Sequence, residues 1–92
     1  MGLPRRAARI DDNQPDIIRA LKAIGCSVEI IGKPVDLLLH YRGVYSLMEC
    51  KATDGRFTKD QVEFFARWPG TVHVAHSPEE AVRLVIGEEA MA

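Results

Sequence analysis

Cysteine is scarce in this chain. Cys26 and Cys50 are the only two among 92 residues, and they stand in no CxxC or Cys/His spacing, so neither a zinc ribbon nor a disulfide framework is expected. In a reducing compartment they read as small buried hydrophobes. No apolar run approaches the roughly 20 residues that span a bilayer. Met1 to Ile10 is basic but lacks a following apolar core, which argues against a secretory signal and for a cytoplasmic protein. Nor is there an excess of one charge: twelve Lys and Arg face thirteen Asp and Glu, for a net charge of −1. That balance excludes a protein that coats nucleic acid by bulk electrostatics. Repeats and low-complexity segments are absent too. A chain this short buries only roughly 60–65% of its unfolded surface, so one small core and one domain are expected.

The charges that are present are unevenly placed. Arg5, Arg6 and Arg9 occupy residues 1–10 without an acid among them, a basic N-terminal arm ahead of a single domain over 11–92. Glu79, Glu80, Glu88 and Glu89 make the C-terminal part acidic, whereas Lys51, Arg56, Lys59 and Arg67 bias the centre positive. A phosphate-bearing partner would therefore be met on one side only.

Hydrophobic spacing and turn residues predict an α-β-β-β-α-β-α order. A first helix is expected over Asp11 to Ile24, with Pro15 in the opening turn, Ile17, Ile18, Leu21 and Ile24 on one stripe, and Gly25 as the stop. Strands follow over Cys26 to Ile31, Val35 to His40 and Val44 to Ala52; the last two are joined by a two-residue turn, Arg42-Gly43. Thr58 with Gln61 three residues on forms a capping box for a second helix, with Phe57 placed to staple onto Val62, and Pro69-Gly70 ends it. Thr71 to Ala75 is a fourth strand. Ser77-Pro78-Glu79-Glu80 opens a last helix that closes at Gly87. The fold class is thus α/β, a mixed four-stranded sheet flanked by helices. The link from the third to the fourth strand is a crossover through the second helix.

One stretch does not suit a strand built for stability. In "MECKATDG", residues 48–55, Glu49 and Lys51 share a face while Met48 and Cys50 share the other. With Tyr41 opposite Val44 across the turn, counting outward places Asp36 opposite Glu49. Opposed side chains sit about 4.5–5.5 Å apart at Cβ, where like charges destabilise. Two carboxylates so placed share a proton or a cation. A hard divalent ion such as Mg²⁺ takes oxygen ligands, and the Cys50 carbonyl supplies a further oxygen. Lys51 would then hold a phosphate or the attacking water. The plainer alternative is an exposed Glu49–Lys51 pair worth under about 1 kcal/mol.

The stretches "DDNQPDIIRALKAIGCSV", "PVDLLLH" and "LMECKATDGRFTKDQVEFFARWPGTVHVAHSPEEA" together resemble the PD-(D/E)xK nuclease superfamily. Within it they are most similar to the virus-type replication-repair nuclease (VRR-NUC) family, in its short stand-alone form found in bacteriophages. The resemblance implies an αβββαβ, restriction-endonuclease-like core with a C-terminal helix. It makes Asp36 and Glu49 metal ligands, Lys51 the catalytic lysine, and Gln61 a residue of the second helix that reaches the site. Gln14 or Asp16 stands where the family's first helix often supplies a Glu to the metal. The pattern departs from the family where Val35 separates Pro34 from Asp36.

The resemblance further implies a Mg²⁺- or Mn²⁺-dependent endonuclease, cutting branched DNA such as a Holliday junction as a homodimer, in the host cytoplasm if phage-encoded. Arg5, Arg6, Arg9, Arg56 and Lys59 are the candidate DNA contacts. The alternative function is a catalytically inactive nuclease-fold module that binds DNA or a protein partner, although a pure binder has no reason to keep Asp36, Glu49 and Lys51 together. Gln61 needs no role beyond its cap, and Asp16 none beyond the helix dipole. His40, His73 and His76 show no ligand spacing and are expected at strand ends or on the surface. Phe64, Phe65 and Trp68 are expected to pack the second helix on the sheet or on another subunit rather than to stack bases.

Overall fold

A computed structural model describes residues 12–87. The basic arm with Arg5, Arg6 and Arg9, and the last five residues, lie outside them. Three helices and four strands follow in the order α1 (Gln14–Ala23), β1 (Ser27–Ile30), β2 (Leu37–Tyr41), β3 (Val44–Cys50), α2 (Lys59–Arg67), β4 (Val72–Ala75) and α3 (Pro78–Ile86). The sheet order is β1-β2-β3-β4, antiparallel except for the parallel β3–β4 pair. Two parallel neighbours need a crossover, and α2 lies within it. This is the expected α/β core with its C-terminal helix.

Local chemistry explains the element ends. Arg42 and Gly43 have φ of 52° and 84°, the positive pair that a type I′ turn requires and that matches strand twist. Tyr41 consequently pairs with Val44, and the register runs back to Leu37 opposite Met48. Thr58 caps α2: its hydroxyl accepts from Gln61 N–H at 3.1 Å, and Gln61 Oε1 accepts from Thr58 N–H at 3.2 Å. Ser77 caps α3 by accepting from Glu80 N–H.

α1 differs. Asn13 holds its N-cap position but makes no side-chain cap bond; its amide instead donates to the carbonyls of Lys51 and His76, at 3.2 and 2.9 Å. The start of α1 is thereby tied to the segments that leave β3 and β4.

All four strands are shorter than the hydrophobic pattern suggests, β3 ending at Cys50 and β4 starting at Val72, and the gap between β1 and β2 has a single cause. β1 stops at Ile30 and β2 starts at Leu37, because the Asp36 carbonyl accepts from both Ile31 and Gly32 N–H groups, which closes the ladder in a bend. Cys26, expected in β1, donates its N–H to Leu21 O and belongs to the exit from α1.

Alternation along the strands separates two faces. Leu37, Leu39, Met48, Cys50 and Ala75 form one buried cluster with Ile17 and Leu21 of α1 and Ala81 of α3. The other face carries Leu38, Leu47, Glu49 and Val74, with α2 on that side. Only Phe64 of α2 is buried, and Leu38, Val62 and Trp68 remain exposed. The site lies on this less covered face.

Candidate active site

The bend at Asp36 decides the site. Register places Asp36 one step beyond the Leu37–Met48 pair and so across from Glu49. Two hydrogen bonds cross between them. Glu49 Oε1 accepts from Asp36 N–H at 3.2 Å, and Asp36 Oδ2 accepts from Cys50 N–H at 2.9 Å. Each carboxylate is pinned by the other's strand. The Asp36 side chain takes the N–H that would otherwise continue the ladder toward Val35. In an extended residue the N–H and C=O point to the same side, so the Cys50 carbonyl faces the Asp36 side as well. The Cys50 thiol lies on the opposite face, in the core.

Glu49 is 3% exposed, and the pair it makes with Lys51 is not at the rim. Lys51 Nζ stands 3.2 Å from Glu49 Oε2, with side chains 14% and 4% exposed respectively. This corrects the reading of a solvated surface pair. Removing one partner of a buried pair is costly, because the remaining charge cannot be resolvated.

Asp36, Glu49 and Lys51 open into one cleft of about 1010 Å³, between the Gly32-Lys33-Pro34 turn and α2. Gln61 lies on its wall, with Oε1 already engaged in the helix cap. Arg56 lines it too; Lys59, the other basic candidate in the described residues, is exposed and is not among the lining residues.

Sequence reasoning overlooked Lys33, Asp60 and Glu63 as cleft residues and took Arg67 only as part of a general positive bias. A signal was available. Asp60, Glu63 and Arg67 recur at helical spacing and share the cleft with Gln61 and Phe64.

The two first-helix candidates separate. Asp16 is exposed and pairs with Arg19 on the helix surface, away from the cleft. Gln14 is 3% exposed, and its Oε1 is a buried acceptor with no hydrogen-bond partner, as is Asn13 Oδ1. A buried oxygen in this state costs about 1–3 kcal/mol unless something satisfies it. Gln14 immediately follows Asn13, whose amide is bonded to the Lys51 carbonyl. Gln14 shares the buried stripe of α1 with Ile17 and Leu21 and is not among the residues that line the cleft, so the structure does not bring it to Asp36 and Glu49.

Among the described residues no three His, Cys, Asp or Glu side chains gather as a metal site. The cleft oxygens that the bend brings together are the Asp36 and Glu49 carboxylates, with the Cys50 carbonyl on the Asp36 side, a set of oxygens that suits a hard cation and not zinc.

The remaining candidates are structural. Phe64 is buried and stacks on Trp68 at 5.3 Å. Phe65 and Trp68 face Val72 and Val74 across a smaller hollow of about 240 Å³ and Trp68 stays exposed, so these two rings lie over the sheet without closing on it. His40 lies against Tyr45, and His76 pairs with Glu80 at 3.0 Å. His73 departs from expectation: it is half-buried within β4 opposite Met48, and burial lowers its pKa.

No family model, curated protein or solved structure gives a significant match to the chain. Among the described residues, no helix is long and apolar enough to cross a membrane.

Proposed function

We propose that the cleft is the active site of a divalent-metal-dependent endodeoxyribonuclease that hydrolyses phosphodiester bonds in branched DNA. The observation that carries the reading is the pair of crossed hydrogen bonds that fixes Asp36 and Glu49 beside Lys51 on one face. A sheet built for stability alone has no use for that arrangement.

In this reading Asp36, Glu49 and the Cys50 carbonyl hold Mg²⁺ or Mn²⁺, and Gln14 and Asp16 are set aside. The ion's chemistry is to lower the pKa of a bound water and to neutralise charge on the phosphate. Lys51 orients the attacking water or the phosphate through its ammonium group. With Oε1 of Gln61 held by the cap, only its amide nitrogen is left to donate to a phosphate oxygen. Arg56, with Lys33 and Arg67, holds the strand by its backbone, while Lys59 and the arm residues Arg5, Arg6 and Arg9 make sequence-independent contacts further out.

A homodimer suits this function, since so small a domain has little surface with which to grip a branched duplex. Val44 and Tyr45 at the hairpin, 63% and 72% exposed, offer apolar surface for a second copy.

The test is direct. Purified protein incubated with labelled linear, flap and four-way DNA should cut the branched forms with manganese and not with EDTA, and Lys51→Ala should remove the activity. Cleavage that persists in EDTA, or tight junction binding without any cleavage, would replace this reading with another.

A further inference from the structure

Lys51 is held at three places along its length. Its ammonium contacts Glu49 Oε2 at 3.2 Å, and the same nitrogen lies 5.5 Å from the centre of the Phe57 ring. Its stem is walled by the tight turn after β3, where Gly55 N–H donates to Ala52 O at 2.9 Å. A Cβ on Gly55 would stand 3.1 Å from Lys51 Cδ.

Phe57 is fixed in turn. It precedes the N-cap Thr58, and its ring meets Phe65 edge-on at 5.1 Å. That contact leaves the ring 40% exposed beside the lysine. An ammonium within about 6 Å of a ring face is attracted by its quadrupole, more strongly once partly desolvated.

These contacts conflict with metal binding in one respect. A divalent ion on Glu49 and Lys51 Nζ seek the same carboxylate, and two cations cannot share one oxygen without repulsion. Resting on the metal reading above, we propose that Phe57 is a positioning residue that supplies the second seat for the Lys51 ammonium. With an ion held by Glu49, the Lys51 ammonium would leave Oε2, and the Phe57 ring would keep it in the cleft, facing the phosphate, instead of releasing it to solvent. Metal binding and lysine position are then coupled through this ring. By linkage, losing the ring weakens the metal by the factor by which the ring holds the displaced ammonium more tightly than the ammonium paired with Glu49.

Mn²⁺ affinity tests this without any DNA, by loss of the free-ion signal in electron paramagnetic resonance. Four proteins form a cycle: wild type, Phe57→Leu, Lys51→Met and the double variant. Lys51→Met should bind Mn²⁺ roughly tenfold more tightly than wild type, since the competitor is gone. Phe57→Leu should bind about two- to fivefold more weakly, and Phe57→Trp should restore wild-type affinity. In the Lys51→Met background Phe57→Leu should change nothing, which a merely structural role for the ring would not reproduce.

Equal weakening by Phe57→Leu in both backgrounds overturns the proposal, as does a Lys51→Met protein that binds no more tightly. A wild-type chain that binds no Mn²⁺ at all is a separate outcome, which removes the metal reading along with it.

Discussion

The two faces of β3 solve opposite problems with alternate residues of one strand. Met48 and Cys50, on the α1/α3 face, are buried among apolar side chains. Glu49, between them, is buried almost as deeply on the α2 face, where its partners are the Asp36 N–H and an ammonium. On the first face burial is its own reward, at roughly 25 cal/mol per Å² of apolar surface. On the second it is a cost that each polar contact only offsets. The difference teaches that the closed face holds the fold while the open face holds charges in place. The two should therefore respond differently to substitution.

The sharpest test crosses the faces. Leu37→Ala, which empties a fully buried site on the closed face, should cost about 2–5 kcal/mol in urea unfolding. Whatever fraction stays folded should keep its activity. Glu49→Gln should cost less stability than that: the isosteric amide retains an oxygen for the Asp36 N–H, and only the Lys51 ammonium loses its partner charge. Junction cleavage should fall by about 10²–10³-fold or more. If Glu49→Gln unfolds the protein as readily as Leu37→Ala, the comparison fails and the carboxylate belongs to the scaffold.

Ligand linkage gives the next largest effect. Mg²⁺ at about 100 times its dissociation constant should stabilise the wild type by about 2.7 kcal/mol, seen as a rise in melting temperature. Asp36→Asn keeps an acceptor for the Cys50 N–H but loses the charge, and its melting temperature should not move with Mg²⁺. Equal shifts in both proteins would place the ion elsewhere.

How far this division was legible in the sequence depends on the range of the interaction. The parity of Met48, Glu49, Cys50 and Lys51 is local, and the turn at Arg42-Gly43 transmits register through a short hairpin. Asp36 could therefore be placed against Glu49 by counting. The bend at Asp36 could not. It arises because one carbonyl accepts two N–H groups and one carboxylate replaces a ladder bond, and alternation of apolar residues carries no trace of that.

The contacts of Asn13 span 38 and 63 residues. An asparagine just before a helix reads as an ordinary cap, and only the fold shows it spent on tertiary ties. The same holds for Lys51: strand geometry sets its Cα further along than Glu49, whereas its side chain turns back onto that carboxylate. Gln14 and Asp16 were indistinguishable as first-turn residues until packing buried one and exposed the other.

Asn13 itself offers a smaller test, since it joins the closed-face helix α1 to both strands that form the parallel pair. Asn13→Ala should cost about 1–2 kcal/mol, one ordinary hydrogen bond each for the carbonyls of Lys51 and His76. It should also lower cleavage more than a remote variant of equal stability does, because Lys51 is the residue it anchors. Loss of stability alone, with rate unchanged, would confine Asn13 to the scaffold.

The smallest effect lies where β4 turns into α3. Glu80 accepts from the backbone N–H of His76 at 2.7 Å and meets the His76 ring at 3.0 Å. The backbone bond from His76 first and then the side-chain bond hold its carboxyl pKa below the ordinary range, against an opposing effect of burial, with the nearby charges of His76 and Arg83 adding less. A depressed folded-state pKa means the unfolded chain binds the proton more readily. The stabilisation is thus complete above the unfolded value, near 4.3, and is lost as pH falls through the folded one. Glu80→Gln should flatten the acid limb of the stability curve slightly and leave the neutral region nearly level, because the group is partly exposed and solvent screens it. Since α3 packs on the closed face, cleavage at neutral pH should be untouched by this change. A fall in activity without a fall in stability would mean that the junction of β4 and α3 serves the site as well as the core.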